Sequence, residues 1–239
     1  MSKVQGITML LRLKDEEEWI KPCVESIQWA DQLVYCFQNS TDKTEEIIRD
    51  VSDSKKSHYF HYPHDSRPNG PGHLNQPYDE FNRAYFYNWC YHKTNTKYIV
   101  KWDGDMVAFD DLENILRKSE NKFDFVTFAG INIITDNGKF FYNKKTPYCG
   151  AEPRFIKGLD EDPWKTGELC EAYAYKIRNN LTIKEPMYLH FKYSKSIESM
   201  TKAWPENWRD IPHFQKLLER ENKTDLVPYN GDIPKWIKV

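Results

Sequence analysis

The sequence predicts an α/β domain with a Rossmann-like, mixed and mainly parallel central sheet flanked by helices. Two observations carry this. Strand-like and helix-like runs alternate through the first sixty-odd residues, the signature of parallel strands joined by crossover helices. A further run, Tyr98–Met106, begins apolar and ends in two carboxylates, Asp103 and Asp105, separated by Gly104. Ligands of open α/β sheets bind outside the carboxyl ends of the strands, so these carboxylates stand where a ligand belongs. The 239 residues suffice for one sizeable core.

Each element follows in order. Gly6–Leu13 reads as the first strand. Lys14-Asp15-Glu16-Glu17-Glu18 is an acidic opening for a helix, with Asp15 as N-cap and Glu18 completing a capping-box-like pair. That helix is expected to bury Trp19, Ile20, Val24 and Ile27. Asp31–Gln38 is the second strand. Asp42 with Glu45 repeats the capping pattern ahead of a helix over 43–51 that buries Ile47, Ile48 and Val51. Ser57–His61 is the third strand. Residues 62–77 carry four prolines and two glycines and read as a long loop. An aromatic-rich helix over 78–93 leads into the Asp-Gly-Asp strand, and a helix over 109–119 follows. Residues 123–135 and 139–142 flank Asp136-Asn137-Gly138 as a hairpin. Arg154–Ile156 and Met187–Lys192 read as later strands, and 194–204 and 211–221 as helices.

Composition excludes several functions. Thirty-four basic residues against 36 acidic ones leave a net charge of -2, with no basic cluster to bind nucleic acid. Aromatic residues make up 15%, and their first use is to fill the core rather than to stack on sugars. The five cysteines are scattered and include no Cys-x-x-Cys pair, so neither a disulfide framework nor a zinc ribbon is expected, and a reducing, cytoplasmic setting fits. Without a secretory route, the Asn-x-Ser/Thr triplets at Asn39, Asn180 and Asn222 carry no meaning. No apolar run approaches the ~20 residues of a membrane span. His58, His61, His64 and His73 complete no zinc spacing and are expected at the surface. The turn after the first strand lacks a glycine fingerprint, which argues against a dinucleotide-dependent dehydrogenase.

Asp103 and Asp105 lie on one side of an extended backbone because side chains alternate along a strand. Hard oxygens so placed suit Mg²⁺ or Mn²⁺ held jointly with substrate phosphates. Gly104 leaves room for a bulky group to approach the backbone between them.

Three segments then resemble one family. Lys14-Asp15-Glu16-Glu17 resembles the Arg-Asn-Glu-Glu opening of family 2 glycosyltransferases. Residues 38–44, Gln-Asn-Ser-Thr-Asp-Lys-Thr, resemble their Asp-x-Ser-Thr-Asp-x-Thr turn, and Lys101-Trp102-Asp103-Gly104-Asp105 resembles their D-x-D motif. Leu189-His190-Phe191 resembles the histidine that ends the catalytic core in several GT-A enzymes. The resemblance implies a GT-A domain over 1–203, with a donor half (1–111), an acceptor half (112–203) and a C-terminal extension over 204–239. It implies a nucleotide-sugar donor, by default UDP-linked, a divalent Mn²⁺ or Mg²⁺, and a glycan or glycoconjugate acceptor, with peripheral membrane contact open. Donor binding falls to Leu11, Arg12, Asp15, Gln38, Asp103, Gly104 and Asp105. Gln38 replaces the family's usual acid, leaving the base open. Asp105 is the metal ligand, Asp103 binds ribose or metal, and His190 is a second ligand. The general base of an inverting reaction lies among Glu152, Asp162, Glu168 and Glu171, with the last two favoured by their distance from His190. Arg83 and Lys101 meet either phosphate or solvent. Two other classes share these features: a nucleotidyltransferase, which lacks its Gly-rich basic loop here, and an inactive carbohydrate-binding relative, against which the intact Asp-Gly-Asp argues.

Overall fold

Apolar residues with no break, Met9–Leu11 and Leu33–Cys36, make the first two strands buried on both faces, as strands covered by helices on either side must be. The structure, a computed structural model, describes residues 3–67, 70–158, 161–168, 171–174, 178–194, 208–212, 215 and 225–238. In chain order the elements are β1 (Val4–Leu13), α1 (Ile20–Ser26), β2 (Gln32–Gln38), α2 (Thr44–Val51), β3 (Ser57–Tyr62), α3 (Arg83–Tyr91), β4 (Thr96–Asp103), β5 (Met106–Ala108) and α4 (Leu112–Ser119). Then come β6 (Phe125–Phe128), β7 (Ile131–Asn132), β8 (Ile134–Asp136), β9 (Lys139–Asn143), β10 (Glu152–Lys157), β11 (Trp164–Thr166), β12 (Glu171–Tyr173), β13 (Asn180–Thr182), β14 (Tyr188–His190) and β15 (Leu226–Pro228).

The main sheet has the order β13-β6-β10-β4-β1-β2-β3. Strands β1 to β4 run parallel, and β10 runs antiparallel to both β4 and β6. The carboxyl ends of β1, β2 and β4 therefore share one edge, with Arg12 in register with Asp103. A small sheet, β5-β14-β7, stands beside that edge and brings His190 opposite Met106. One core cluster joins α1, β1, β2, β4 and Trp102, and another packs α3 against the opposite face.

Several expectations change in detail. The first helix starts at Ile20, not Asp15, and no side chain caps it. Asp15 adopts φ 52°, a left-handed conformation that a helix start cannot use. The polar groups of 15–17 go instead to the loop after β2, as described below. Trp19 faces a separate aromatic cluster rather than the main core. Asp42 accepts from Thr44 N–H at 3.0 Å, but Lys43 holds the cap position of α2, of which only Thr44 and Ile48 are buried. Residues 78–82 stay outside α3, where Asn82 caps by accepting from Ala84 N–H at 2.9 Å. The Asn137-Gly138 turn is present, with φ 49° and 73°, but the run before it breaks into β6, β7 and β8. His73 is fully buried rather than at the surface. The helices expected over 194–204 and 211–221, and Cys170, fall mostly or wholly outside the described residues. The four described cysteines are free.

Gly130 lies where no side chain fits. A Cβ there would come 2.3 Å from the ring of Tyr188, which is fully buried and hydrogen-bonded to Cys149 at 2.8 Å. Gly130→Ala is expected to destabilise by about 1–3 kcal/mol in urea denaturation. Gly150→Ala, where a Cβ meets nothing within 4 Å, should be near neutral. Equal stability of the two variants would show that the Tyr188 packing is wrong.

Candidate active site

The site is built on the last residues of β4. Asp103 accepts a 2.5 Å ion pair from Arg12 on β1 and a 3.4 Å contact from Arg154 on β10. Both guanidinium groups are buried, whereas the carboxylate is about one-third exposed (34%). The ring of Tyr87 on α3 stacks under Arg12 at 3.9 Å, so Arg12 ties the sheet to the helix behind it. The ion pairs continue along the edge. Arg154 pairs with Glu152, and Glu152 pairs with Lys101 at 2.7 Å. Lys101 in turn reaches Glu171 on β12 at 3.4 Å. Burial alone would raise the Asp103 carboxyl, but Arg12, Arg154 and Lys101 outweigh it and hold the group far below the usual carboxylate range.

Asp105 points away from this ladder. His190 approaches its carboxylate at 3.3 Å through Nε2, while Nδ1 faces Asn132 Oδ1 at 3.2 Å. Burial would lower the His190 pKa. The Asp105 charge, with hydrogen bonds to Asp105 and Cys149, overcomes that and pushes it up to about 9.

The expected metal ligands divide accordingly. Asp103 faces two cations, so its charge is already matched. A divalent ion at Asp105 and His190 would have to displace the Nε2 proton of His190 before taking that nitrogen beside the Asp105 carboxylate; Mn²⁺ accepts such a mixed oxygen and nitrogen set more readily than Mg²⁺, with substrate oxygens completing the shell. Among the described residues no group of three His, Cys, Asp or Glu is arranged to hold a metal by itself. The residues fit an ion shared with substrate rather than a resident one.

The expected donor residues converge on the same edge but are engaged by their own chain. Leu11 is fully buried, so only its backbone is available. Asp15 accepts from Thr41 N–H at 2.7 Å. Glu16 N–H donates to Thr44 Oγ1 and Glu17 N–H to Asp42, at 2.7 and 2.9 Å, while Glu17 accepts from Lys43 N–H at 3.0 Å. The two loops are thus stitched together. Gln38 donates to His64 O at 3.3 Å and accepts from Ser66 at 3.2 Å, and Lys14 pairs with Asp65 at 3.0 Å. Beside them a cavity of about 280 Å³ opens at the ends of β2 and β3, lined by Phe37, Asn39, Ser40, His61 and Tyr62. Gly104 is not open space: a Cβ would lie 2.8 Å from both Glu16 and Leu13.

The base candidates separate. Asp162 pairs with His92 at 2.6 Å, just past the end of α3 and towards the start of β4, so the structure sets it away from the carboxyl edge. Glu168 is exposed on the turn between β11 and β12. Glu152 is held between two cations, which lower its pKa against burial. Glu171 keeps Oε1 on Lys101, while Oε2 is buried without a partner. Lys101 is itself buried and ion-paired rather than solvent-facing. Arg154 and Tyr87 carry the site without having stood out in the sequence. The available signal was Glu152-Pro153-Arg154, two opposite charges at period two inside a strand-like run.

No family model matches the chain, and no curated protein does. Solved structures do. S. aureus TarS 1-349 in complex with UDP-GlcNAc is 11% identical, with 90% of this chain and 65% of that one covered at a TM-score of 0.50. Glucosyl-3-phosphoglycerate synthase from Mycobacterium tuberculosis, with Mn²⁺, UDP and glucosyl-3-phosphoglycerate, is 16% identical over 51% of this chain and 43% of that one, at 0.38. The chain spans about two-thirds or less of the length of these structures, down to 37% for TarS with UDP. The likeness to TarS shows the fold: this chain has the GT-A arrangement of a mixed, mainly parallel sheet with flanking helices.

The charge arrangement predicts how stability varies with pH. Asp103 is depressed, so its contribution is complete above the ordinary carboxylate pKa of about 4 and fades as pH falls below it. His190 is raised, so its contribution is complete below about 6.5 and fades as pH rises through 9. Urea stability should therefore fall on both sides of a neutral plateau. Asp103→Asn should lower the plateau by about 2 kcal/mol, less than a fully buried pair because the carboxylate is partly exposed, and flatten the acid limb. His190→Gln should flatten the alkaline limb. An unchanged plateau in Asp103→Asn would contradict the ion-pair assignment.

Proposed function

We infer that the protein is a glycosyltransferase of the family 2 type. It moves a sugar from a nucleotide-diphosphate donor, UDP favoured, to a hydroxyl of a glycan or glycoconjugate, with inversion. The observation that carries this is the Asp105–His190 pair at the carboxyl edge of a GT-A sheet, apart from the ion-paired Asp103. UDP-GlcNAc bound to TarS, which shares the fold, supports a UDP-linked donor. The alternative of a nucleotidyltransferase gains nothing, because the loop after β1 is closed on Asp42 and Thr44 rather than free to cradle phosphates.

The roles follow from the geometry. A divalent ion held by Asp105 and His190 would neutralise the diphosphate as it leaves. Asp103, kept ionised by Arg12 and Arg154, offers its exposed side to a ribose hydroxyl. Gln38 gives a base edge the donor and acceptor that it now gives His64 and Ser66. Glu171 is the general base. Lys101 fixes Oε1, and Oε2, buried without a partner, takes the acceptor hydroxyl's proton once the acceptor uncovers it, as the oxygen attacks the anomeric carbon and the bond to the diphosphate breaks.

Release of UDP from UDP-sugars, with water standing in for the acceptor, tests the assignment. Asp105→Asn should lower turnover on the order of a hundredfold, about 3 kcal/mol in the transition state, with excess Mn²⁺ restoring it only in part. His190→Ala should fall less. Wild-type turnover of Asp105→Asn at low Mn²⁺ would refute the metal role. Glu171→Gln should lose on the order of a hundredfold or more while still binding UDP, and Glu168→Gln should lose little. The reverse pattern would move the base to Glu168, and near-normal activity in both would point to a retaining mechanism.

A further inference from the structure

A second concave site lies beside the catalytic edge. It is a cleft of about 470 Å³ between α1, the β8–β9 hairpin and the C-terminal tail. Three aromatic side chains from far-apart positions, Trp19, Phe140 and Trp236, line it, with Lys21, Glu25 and Lys238 around them. All three rings are partly buried against one apolar cluster that contains Phe191 and Ile237. Trp19 stacks on Phe191 with centroids 3.6 Å apart and planes 9° from parallel. Phe140 meets both rings edge-on, at 6.4 and 5.8 Å.

The tail is fastened in place. β15 pairs with β9, Tyr229 N–H donates to Phe140 O at 2.9 Å, and Lys235 pairs with Asp110 at 3.3 Å. The platform is therefore preformed, and a ligand would not have to order it. Its size falls within the range of small-ligand sites, and its walls are mostly apolar with few polar groups, as such sites are.

We propose that this cleft binds an oligosaccharide, as a subsite separate from the donor pocket. Phe191 covers one face of Trp19 and Lys235 sits over Trp236 at 4.8 Å, and the ring surface these leave open accepts the apolar faces of sugar rings, while Lys21, Lys238 and Glu25 supply donors and an acceptor for hydroxyl groups. A protein partner fits less well, since the cleft is concave and small beside an ordinary protein interface. Continuity with the catalytic edge favours a sugar chain. Phe191, the ring under Trp19, donates its N–H to Asp105 O at 2.9 Å, so the cleft and the Asp105 site share a wall. The subsite would hold a stretch of the acceptor chain away from the reacting hydroxyl.

Calorimetric titration with chitotetraose, cellotetraose and maltotetraose, without nucleotide or metal, tests this independently of any transfer activity. At least one should bind in the millimolar range or tighter. Trp236→Ala should weaken it about tenfold, the upper end of a ring-stacking contribution. Thr135→Trp, which fills the cleft from the hairpin and leaves the apolar cluster intact, should abolish binding with the melting temperature retained. Failure of all three tetrasaccharides to bind, or binding that survives Thr135→Trp, would overturn the proposal. Donor hydrolysis by the same sample reports separately on the transferase reading.

Discussion

Asp103 between two buried guanidinium groups is the constraint on which the rest of the site depends. Arg12 comes from β1 and Arg154 from β10, the two neighbours of β4 in the sheet. Charges about 4 Å apart interact by ~4 kcal/mol at an effective dielectric of ~20, so neither arginine is tolerable there without its carboxylate. The pairing runs on through Glu152, Lys101 and Glu171, three cations against three carboxylates. Such a ladder locks β1, β4, β10 and β12 in one lateral arrangement. Asp105, the other carboxylate of the motif, pairs with His190.

Two carboxylates separated by one residue thus have different partners. Gly104 lets the chain turn between them, with Leu13 and Glu16 packed where its side chain would be. Asp103 faces the main sheet's cations, and Asp105 faces β14 of the small sheet and His190. The acidic segment after β1 takes part in a second way. Its polar groups bind the loop after β2, so the two loops are held together.

Much of the sheet was legible in the sequence. Unbroken apolar runs define parallel strands, and Asn137-Gly138 defines a hairpin, because these are local signals of burial and backbone conformation. The helix start at Asp15 was misread because an Asp followed by three glutamates makes a plausible cap in isolation. Only the partner loop, 26 residues on, decides that those polar groups bond across instead. The ion ladder was hidden for the same reason. Lys101 and Arg154 look like surface charges until the antiparallel insertion of β10 beside β4 makes them neighbours. His73 likewise is buried beside Gly167 O, 94 positions away and 3.1 Å from Nδ1. Asp162 shared the acidity of the other base candidates, and only the direction of α3 separates it from the edge.

The central claim is that Asp105 and His190 complete an ion site only together with a nucleotide diphosphate. The most direct measurement is a thermal-shift panel of UDP, GDP and dTDP on the wild-type protein, each with and without Mn²⁺. The account predicts that one diphosphate, UDP first, raises the melting temperature in the presence of Mn²⁺. Neither that nucleotide nor Mn²⁺ alone should do so to a comparable extent. Stabilisation by none of the three with Mn²⁺, or equal stabilisation without it, would contradict the account.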